Sequence, residues 1–197
     1  MSPEELAQWC QRTLPDDTRA FEALVAQYKD RVFATTYRLT GNYQDAEDMA
    51  QEVFVKVFRG IKGLSEPATL STWIYRIATN TCFDMLERRR RTPQTGPLAA
   101  ATGGDEAEPR YADEREPTPE ASAIQRELRR CLEATLQELD LDARAVLVLR
   151  DVEGRSYQEI AETLAAGMSA VKMRIHRARL AFQQLFDRIC PGMRRAA

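Results

Sequence analysis

Histidine, paired cysteines and long apolar runs are what this 197-residue chain has little of, and each scarcity removes a class of protein. His176 is the single histidine, and Cys10, Cys82, Cys131 and Cys190 stand far apart with no CxxC pair. A structural zinc site wants four soft ligands in closely spaced pairs, so no metal or other cofactor is expected. The cysteines read as reduced thiols in or near helical cores, with a redox role for one of them as the alternative. The longest aliphatic run, Ala145 to Leu149, is far shorter than a membrane span. The amino terminus, MSPEELAQWC, is acidic and lacks the apolar core of a secretory signal, so the protein is expected in the cytoplasm. No glycine-rich phosphate loop occurs and no nucleophile stands beside the histidine in a familiar motif. Carboxylate pairs such as Asp45 and Asp48 look structural, so no catalytic residue is expected and the chain does not read as an enzyme.

What is present is helix. At 44% hydrophobic residues the chain can bury a real core. Ser2-Pro3-Glu4-Glu5 has capping-box spacing with proline at the first helical position, and predicts a short helix to about Arg12. A second helix is predicted from about Thr18 to Leu39, with Phe21, Leu24, Val25, Tyr28, Val32 and Tyr37 inward and Gly41 as its stop. Asn42 caps a third, from Tyr43 to about Ile61, ended by Gly63. A fourth starts near Thr69 or Ser71 and runs to Arg90. From Arg91 to Ala121 the pattern breaks into prolines, glycines and acidic residues, the composition of a flexible linker. Capping-box spacing at Ser122 to Gln125 then opens a helix to about Glu138, and three further helices follow. With no repeat and no convincing alternation of a strand, the fold class is all-α: two small helical domains, 1–91 and 122–197, joined by a flexible acidic linker over 92–121.

The net charge of −2 is unevenly spread, basic after Gly167 and acidic in the linker. Ser156 and Glu159 form another capping box, so a helix should begin at Tyr157 with Ile160, Ala161 and Leu164 inward. After the small residues Ala165-Ala166-Gly167, a second helix is predicted from about Ser169, with Val171, Ile175, Ala178, Phe182 and Leu185 inward. Lys172, Arg174, Arg177 and Arg179 then occupy the remaining surface. This is a helix-turn-helix layout, whose second helix enters the major groove of DNA. A free DNA-binding domain normally carries a basic excess, and this chain lacks one overall. It is therefore expected to bind DNA poorly alone and to need a larger partner.

Two blocks of the first half bear function or plain packing. In DAEDMAQEVFVKVFRGI (45–61), Ala50, Phe54, Val57, Phe58 and Ile61 form the buried stripe, while Asp48, Gln51, Glu52 and Val55 share another side. Alone, that side reads as an ordinary solvated face. In the next helix Trp73, Tyr75 and Phe83 interleave with Arg76, Asn80 and Arg88 to Arg91. That mixture suits unstacked bases, with rings for stacking, an amide for a base edge and guanidinium for phosphate. Trp73 and Tyr75 also suit core packing, and cations suit a helix C-terminus.

These two blocks and SYQEIAETLAAGMSAVKMRIHRAR resemble, in order, the extracytoplasmic-function sigma factors of bacterial RNA polymerase. The resemblance implies a polymerase subunit with regions 2 and 4 joined by a linker. It selects promoters and helps melt the −10 element. It places Asp48, Gln51, Glu52 and Val55 on the surface that docks on core polymerase (β and β′ subunits). Trp73, Arg76, Asn80 and Phe83 would open and read the −10 element, with Arg88, Arg89 and Arg90 on phosphates. Lys172, Arg174, His176 and Arg177 would face the −35 element, with Arg179 on the backbone. Promoter DNA and an anti-sigma protein are the further partners implied, with no membrane insertion. The chain departs from the family at Leu64 to Leu70, where a phenylalanine-arginine-glycine loop is usual. It departs again at Met173, where a serine hydroxyl is usual: the thioether either touches a thymine methyl or packs. The alternative reading is a stand-alone helix-turn-helix regulator.

Overall fold

The computed structural model describes residues 1–91 and 119–193. The linker expected over 92–121 lies outside the described residues except for its last three positions, which are helical. Four helices make the first half: α1 (Pro3–Thr13), α2 (Arg19–Thr40), α3 (Tyr43–Gly60) and α4 (Leu70–Arg91), with short 3-10 turns at Ile61–Gly63 and Pro67–Thr69. The second half holds α5 (Pro119–Glu138), α6 (Leu141–Leu147), α7 (Tyr157–Thr163) and α8 (Met168–Ile189). Among the described residues there is no strand.

The predicted punctuation holds where a side chain or a backbone angle enforces it. Ser2 and Ser156 accept from the N–H of Glu5 and Glu159, whose carboxylates accept in return from the cap N–H groups. Asn42 accepts from the Asp45 N–H to start α3. Gly41 ends α2 at φ +72°, and a Cβ there would also come within 2.4 Å of the Gln137 amide oxygen. Two expectations need correction, and one turn had no counterpart in the sequence reading. α5 begins at Pro119, three residues before the capping box at Ser122, because proline suits the first turn of a helix. The segment after α6 continues as a π-helical turn, Val148–Val152. Phe21, Val25 and Tyr37 are only half-buried, while Thr35 and Thr36 are fully buried in their place. These threonines are admitted because their hydroxyls have partners: the Thr36 hydroxyl lies 2.9 Å from the Phe33 and Ala46 carbonyls, which share its one proton.

The core of the first half joins Leu6, Cys10, Leu24, Tyr28, Val32, Val53, Val57, Ile61, Leu70 and Ile74. Each fully buried aliphatic side chain contributes about 1.5–3 kcal/mol. Polar ties then fix the loops between helices. Gln11 donates to the Ile61 and Leu64 carbonyls at 3.1 and 2.7 Å, which anchors the loop ahead of α4. Tyr28 and Ser71 hydroxyls share a hydrogen bond of 2.7 Å that holds the first turn of α4 to α2.

The second half's core contains Leu136, Leu139, Val146, Leu147, Leu149, Ile160, Val171, Ile175 and Ala178, together with Tyr75 of α4. A phenol from one half is thus a core residue of the other. A smaller cluster also crosses between halves: Leu39, Met49, Cys82 and Phe83 meet Leu141 and Ala145.

The cysteines divide. Cys10 and Cys82 are buried thiols, as expected, but Cys131 of α5 and Cys190 after α8 form a disulfide with Cα atoms 6.0 Å apart. Sequence spacing hid this pair, since the two positions are 59 residues apart and adjacent only because α5 packs along α8. Burial pushes the Cys10 thiol up and that of Cys82 to about 12, so neither is a ready nucleophile in the folded chain. Thiol titration without reductant is therefore expected to find two reactive thiols after denaturation and none before. Four thiols on denaturation would show the bridge absent. Closing a loop of this length stabilises by about 4 kcal/mol in the chain-entropy picture, so Cys131→Ser with Cys190→Ser should lower the Tm.

Candidate nucleic-acid and docking surfaces

α4 carries the first surface. The loop tied down by Gln11 and the first turns of α4 border a hollow of about 200 Å³, lined by Leu64, Ser65, Glu66, Thr69, Thr72, Trp73 and Arg76. Trp73 is half-buried with its ring against Gly60, where an added Cβ would lie 3.0 Å from the indole. Arg76 and Asn80, one helical turn apart, are exposed on the rim. Phe83 is half-buried against Leu39, Cys82 and Ala145 rather than standing beside them. At the end of α4, Arg88 and Arg90 are exposed. Arg89 instead makes a two-armed ion pair with Asp45, a carboxylate only 10% exposed. That arginine pins α4 to the start of α3 and has less freedom to follow a phosphate chain.

A second surface lies on α3. Asp48, Gln51 and Val55 are exposed, and Glu52 is half-buried in an ion pair of 2.8 Å with Lys56. Lys56 in turn donates to the Thr81 hydroxyl of α4 at 2.9 Å. Beside this row is an apolar hollow of about 460 Å³ lined by Phe21, Phe54, Val55, Phe58 and Arg59, with the Phe21 and Phe58 rings edge-to-face at 5.0 Å. Periodicity assigned Phe54 and Phe58 to the buried stripe, and both prove half-buried along this hollow.

The third surface is the helix-turn-helix. α7 and α8 meet across a turn in which Ala165 adopts φ +48°, and Gly167 caps α8 in extended conformation. Val171, Ile175 and Ala178 are buried against α7 and α6, and Phe182 and Leu185 continue the seam half-buried. The rest of the α8 surface exposes Lys172, Arg174, His176 and Arg177. Met173 is 50% exposed in the middle of them, so it does not pack. Arg179 is exposed too, but forms a two-armed ion pair with Asp151 ahead of α7, with Nε at 3.1 Å from Oδ2.

Residues outside the three candidate sets connect the surfaces: Glu153, Arg155 and Glu162 carried no signal in the sequence, while Tyr75 was read as a stacking or core ring and Glu159 as a cap. Glu162 of α7 lines the α4 hollow. Tyr75 donates its hydroxyl to Glu153 at 2.5 Å, and the Arg155 guanidinium lies 4.4 Å from its ring centroid. Burial, then the Glu153 carboxylate, push the Tyr75 phenol well above its usual range, so the hydroxyl remains a donor. Burial opposes ionisation of Glu159. The Ser156 N–H and hydroxyl and the Arg155 guanidinium outweigh it and hold the carboxyl below its usual range. Its stabilising contribution is present above the unfolded pKa and declines as pH falls through the lowered one. Among the described residues no cluster of His, Cys, Asp and Glu is arranged to hold a metal, and no helix is long and apolar enough to cross a membrane.

Comparison with known proteins accounts for this arrangement. Residues 24–92 match the sigma-70 region 2 family model and residues 129–182 the sigma-70 region 4 model. The chain is 40% identical to the ECF RNA polymerase sigma factor SigE of Mycolicibacterium smegmatis, over 85% of its own length and 61% of that protein. It is 32% identical to the RNA polymerase sigma-H factor of Pseudomonas aeruginosa, over 93% of this chain and 95% of that one. With the ECF sigma-E factor of Escherichia coli it shares 31% identity over 94% of both. Among solved structures it resembles CnrH bound to the cytosolic domain of CnrY, with a TM-score of 0.65, 26% identity and coverage of 94% of this chain and 97% of that one. The sigma factor RpoE of Bartonella quintana, solved with the anti-sigma factor NepR, shares the fold at a TM-score of 0.64 and 19% identity, over 85% and 96% of the two chains. The chain spans about three fifths of the length of SigE but nearly all of the sigma-H and sigma-E relatives. With two helical halves in the order of regions 2 and 4 and these matches, this chain belongs to the extracytoplasmic-function sigma factors of bacterial RNA polymerase.

Proposed function

We propose that this sigma factor divides its work among the three surfaces, with no chemistry of its own and a cytoplasmic site of action. The α3 row of Asp48, Gln51, Glu52 and Val55, with the adjoining aromatic hollow, docks on core polymerase at its β and β′ subunits. Trp73, Arg76, Asn80 and Phe83 open and read the −10 element, with Arg88 and Arg90 on phosphates and Arg89 chiefly bracing α4 through Asp45. Lys172, Arg174, His176 and Arg177 read the −35 element from the major groove, with Arg179 close to the phosphate backbone. An anti-sigma protein is a further partner. The observation that carries this reading is that Lys172, Arg174, His176 and Arg177 are all exposed on α8, around the surface that its buried seam of Val171, Ile175 and Ala178 leaves open. A stand-alone helix-turn-helix regulator would leave the α3 and α4 surfaces without a role.

Gln51→Ala with Glu52→Ala is expected to weaken association with core polymerase about tenfold, or roughly 1.4 kcal/mol, with circular dichroism unchanged. Unaltered affinity would remove the docking face from α3. Asn80→Ala should slow formation of the open complex, read by permanganate footprinting, more than it weakens the closed complex. Equal loss at both stages would make Asn80 structural. In a promoter library, Arg177→Ala should cost about 1–3 kcal/mol at its base pair, while Met173→Ala changes preference for thymine at one position only.

A further inference from the structure

The −10 and −35 elements lie roughly 25 base pairs apart on a promoter, or roughly 85 Å at about 3.4 Å per step. In this structure α4 and α8 both pack on α7. With about 8–10 Å between the axes of packed helices, the two candidate DNA-reading helices stand within about 20 Å of each other. One body of this shape cannot touch both elements, so the chain must open before it works at a promoter.

We propose that the closed arrangement is a self-locked resting state of the free chain, held by a latch of Tyr75, Glu153 and Arg155. The inference rests on the assignment of α4 and α8 to the two promoter elements. The latch has the features of a built interface. Tyr75 is fully buried among residues of the other half, its hydroxyl donates to one Glu153 oxygen, and the Thr35 hydroxyl of α2 donates to the other at 3.1 Å. Arg155 covers the phenol ring and is itself held by Glu159 at 3.0 Å, while Glu159 accepts from Thr72 of α4 at 3.3 Å. A second anchor lies at the far end, where Arg144 and Gln137 donate to the Leu39 and Arg38 carbonyls at 2.7 and 3.0 Å. Those are two of the last four carbonyls of α2, left open by the helix end. Closure also sets the Glu162 carboxylate at the hollow beside Trp73 and Arg76, where an incoming strand would bring negative charge. Polymerase therefore selects an open form, and its apparent affinity is reduced by the small fraction of chain that is open.

The test is energy transfer between dyes on Glu47→Cys and Gln184→Cys, exposed positions of α3 and α8. The native free thiols are buried and do not compete for label. Free full-length chain should show high transfer, which falls when core polymerase is added. Tyr75→Phe and, separately, Glu153→Gln should lower transfer in the free chain and tighten binding to core polymerase about fivefold, as expected when one hydrogen bond holds the closed form. Thermal unfolding confirms that each half still folds. Unchanged transfer in both variants overturns the latch. Lowered transfer with unchanged polymerase affinity overturns its role as a lock. Should Gln51→Ala with Glu52→Ala leave polymerase affinity intact, the docking assignment fails instead, and transfer in the free chain still reports on the latch.

Discussion

Burial of one phenol organises the molecule. Tyr75 belongs by sequence to α4 of the first half, yet its ring is buried in the core of the second, in one cluster with Ile160 and the seam of α8. An aromatic ring of this size contributes several kcal/mol on burial, but only if its hydroxyl keeps a partner. Glu153 supplies that partner, and the ion Arg155 covers the ring face. The π-helical turn at Val148–Val152 matters for the same reason, since it delivers Glu153 and Arg155 to this point. Remove the hydroxyl or the carboxylate and one buried polar group loses its match, which costs more than the bond itself contributes.

Ion pairing decides which cations are available to nucleic acid. A net charge of −2 leaves no general attraction to a polyanion, so local exposure governs. Arg89 and Arg179 are engaged by Asp45 and Asp151. Arg88, Arg90, Lys172, Arg174 and Arg177 stay exposed at the surface. The weak overall charge is consistent with a subunit that relies on a larger machine for its grip on the duplex.

The helices and their limits were legible because they depend on local chemistry. Capping boxes at Ser2 and Ser156, the Asn42 cap, the Gly41 stop and the helical spacing of Val171, Ile175 and Ala178 act over a few residues, so a linear reading finds them. The helix-turn-helix and the exposed side of α3 were legible for the same reason. Thr35 and Thr36 escaped because polarity alone argues against burial, and the acceptors near their hydroxyls include groups distant in sequence, Glu153 for Thr35 and the Ala46 carbonyl for Thr36. Met173 was open between packing and exposure until the orientation of α8 placed it outward.

By itself, then, the sequence determined the helical class, the order of elements, the caps and the family, all of which rest on periodicity or short motifs. Tertiary structure alone decided the Cys131–Cys190 bridge, the engagement of Arg89 and Arg179, and the place of Tyr75 in a core to which its own helix does not belong. Each of these joins residues tens of positions apart. Such contacts leave no periodic trace along the chain; they exist only once packing brings distant segments within a few ångströms.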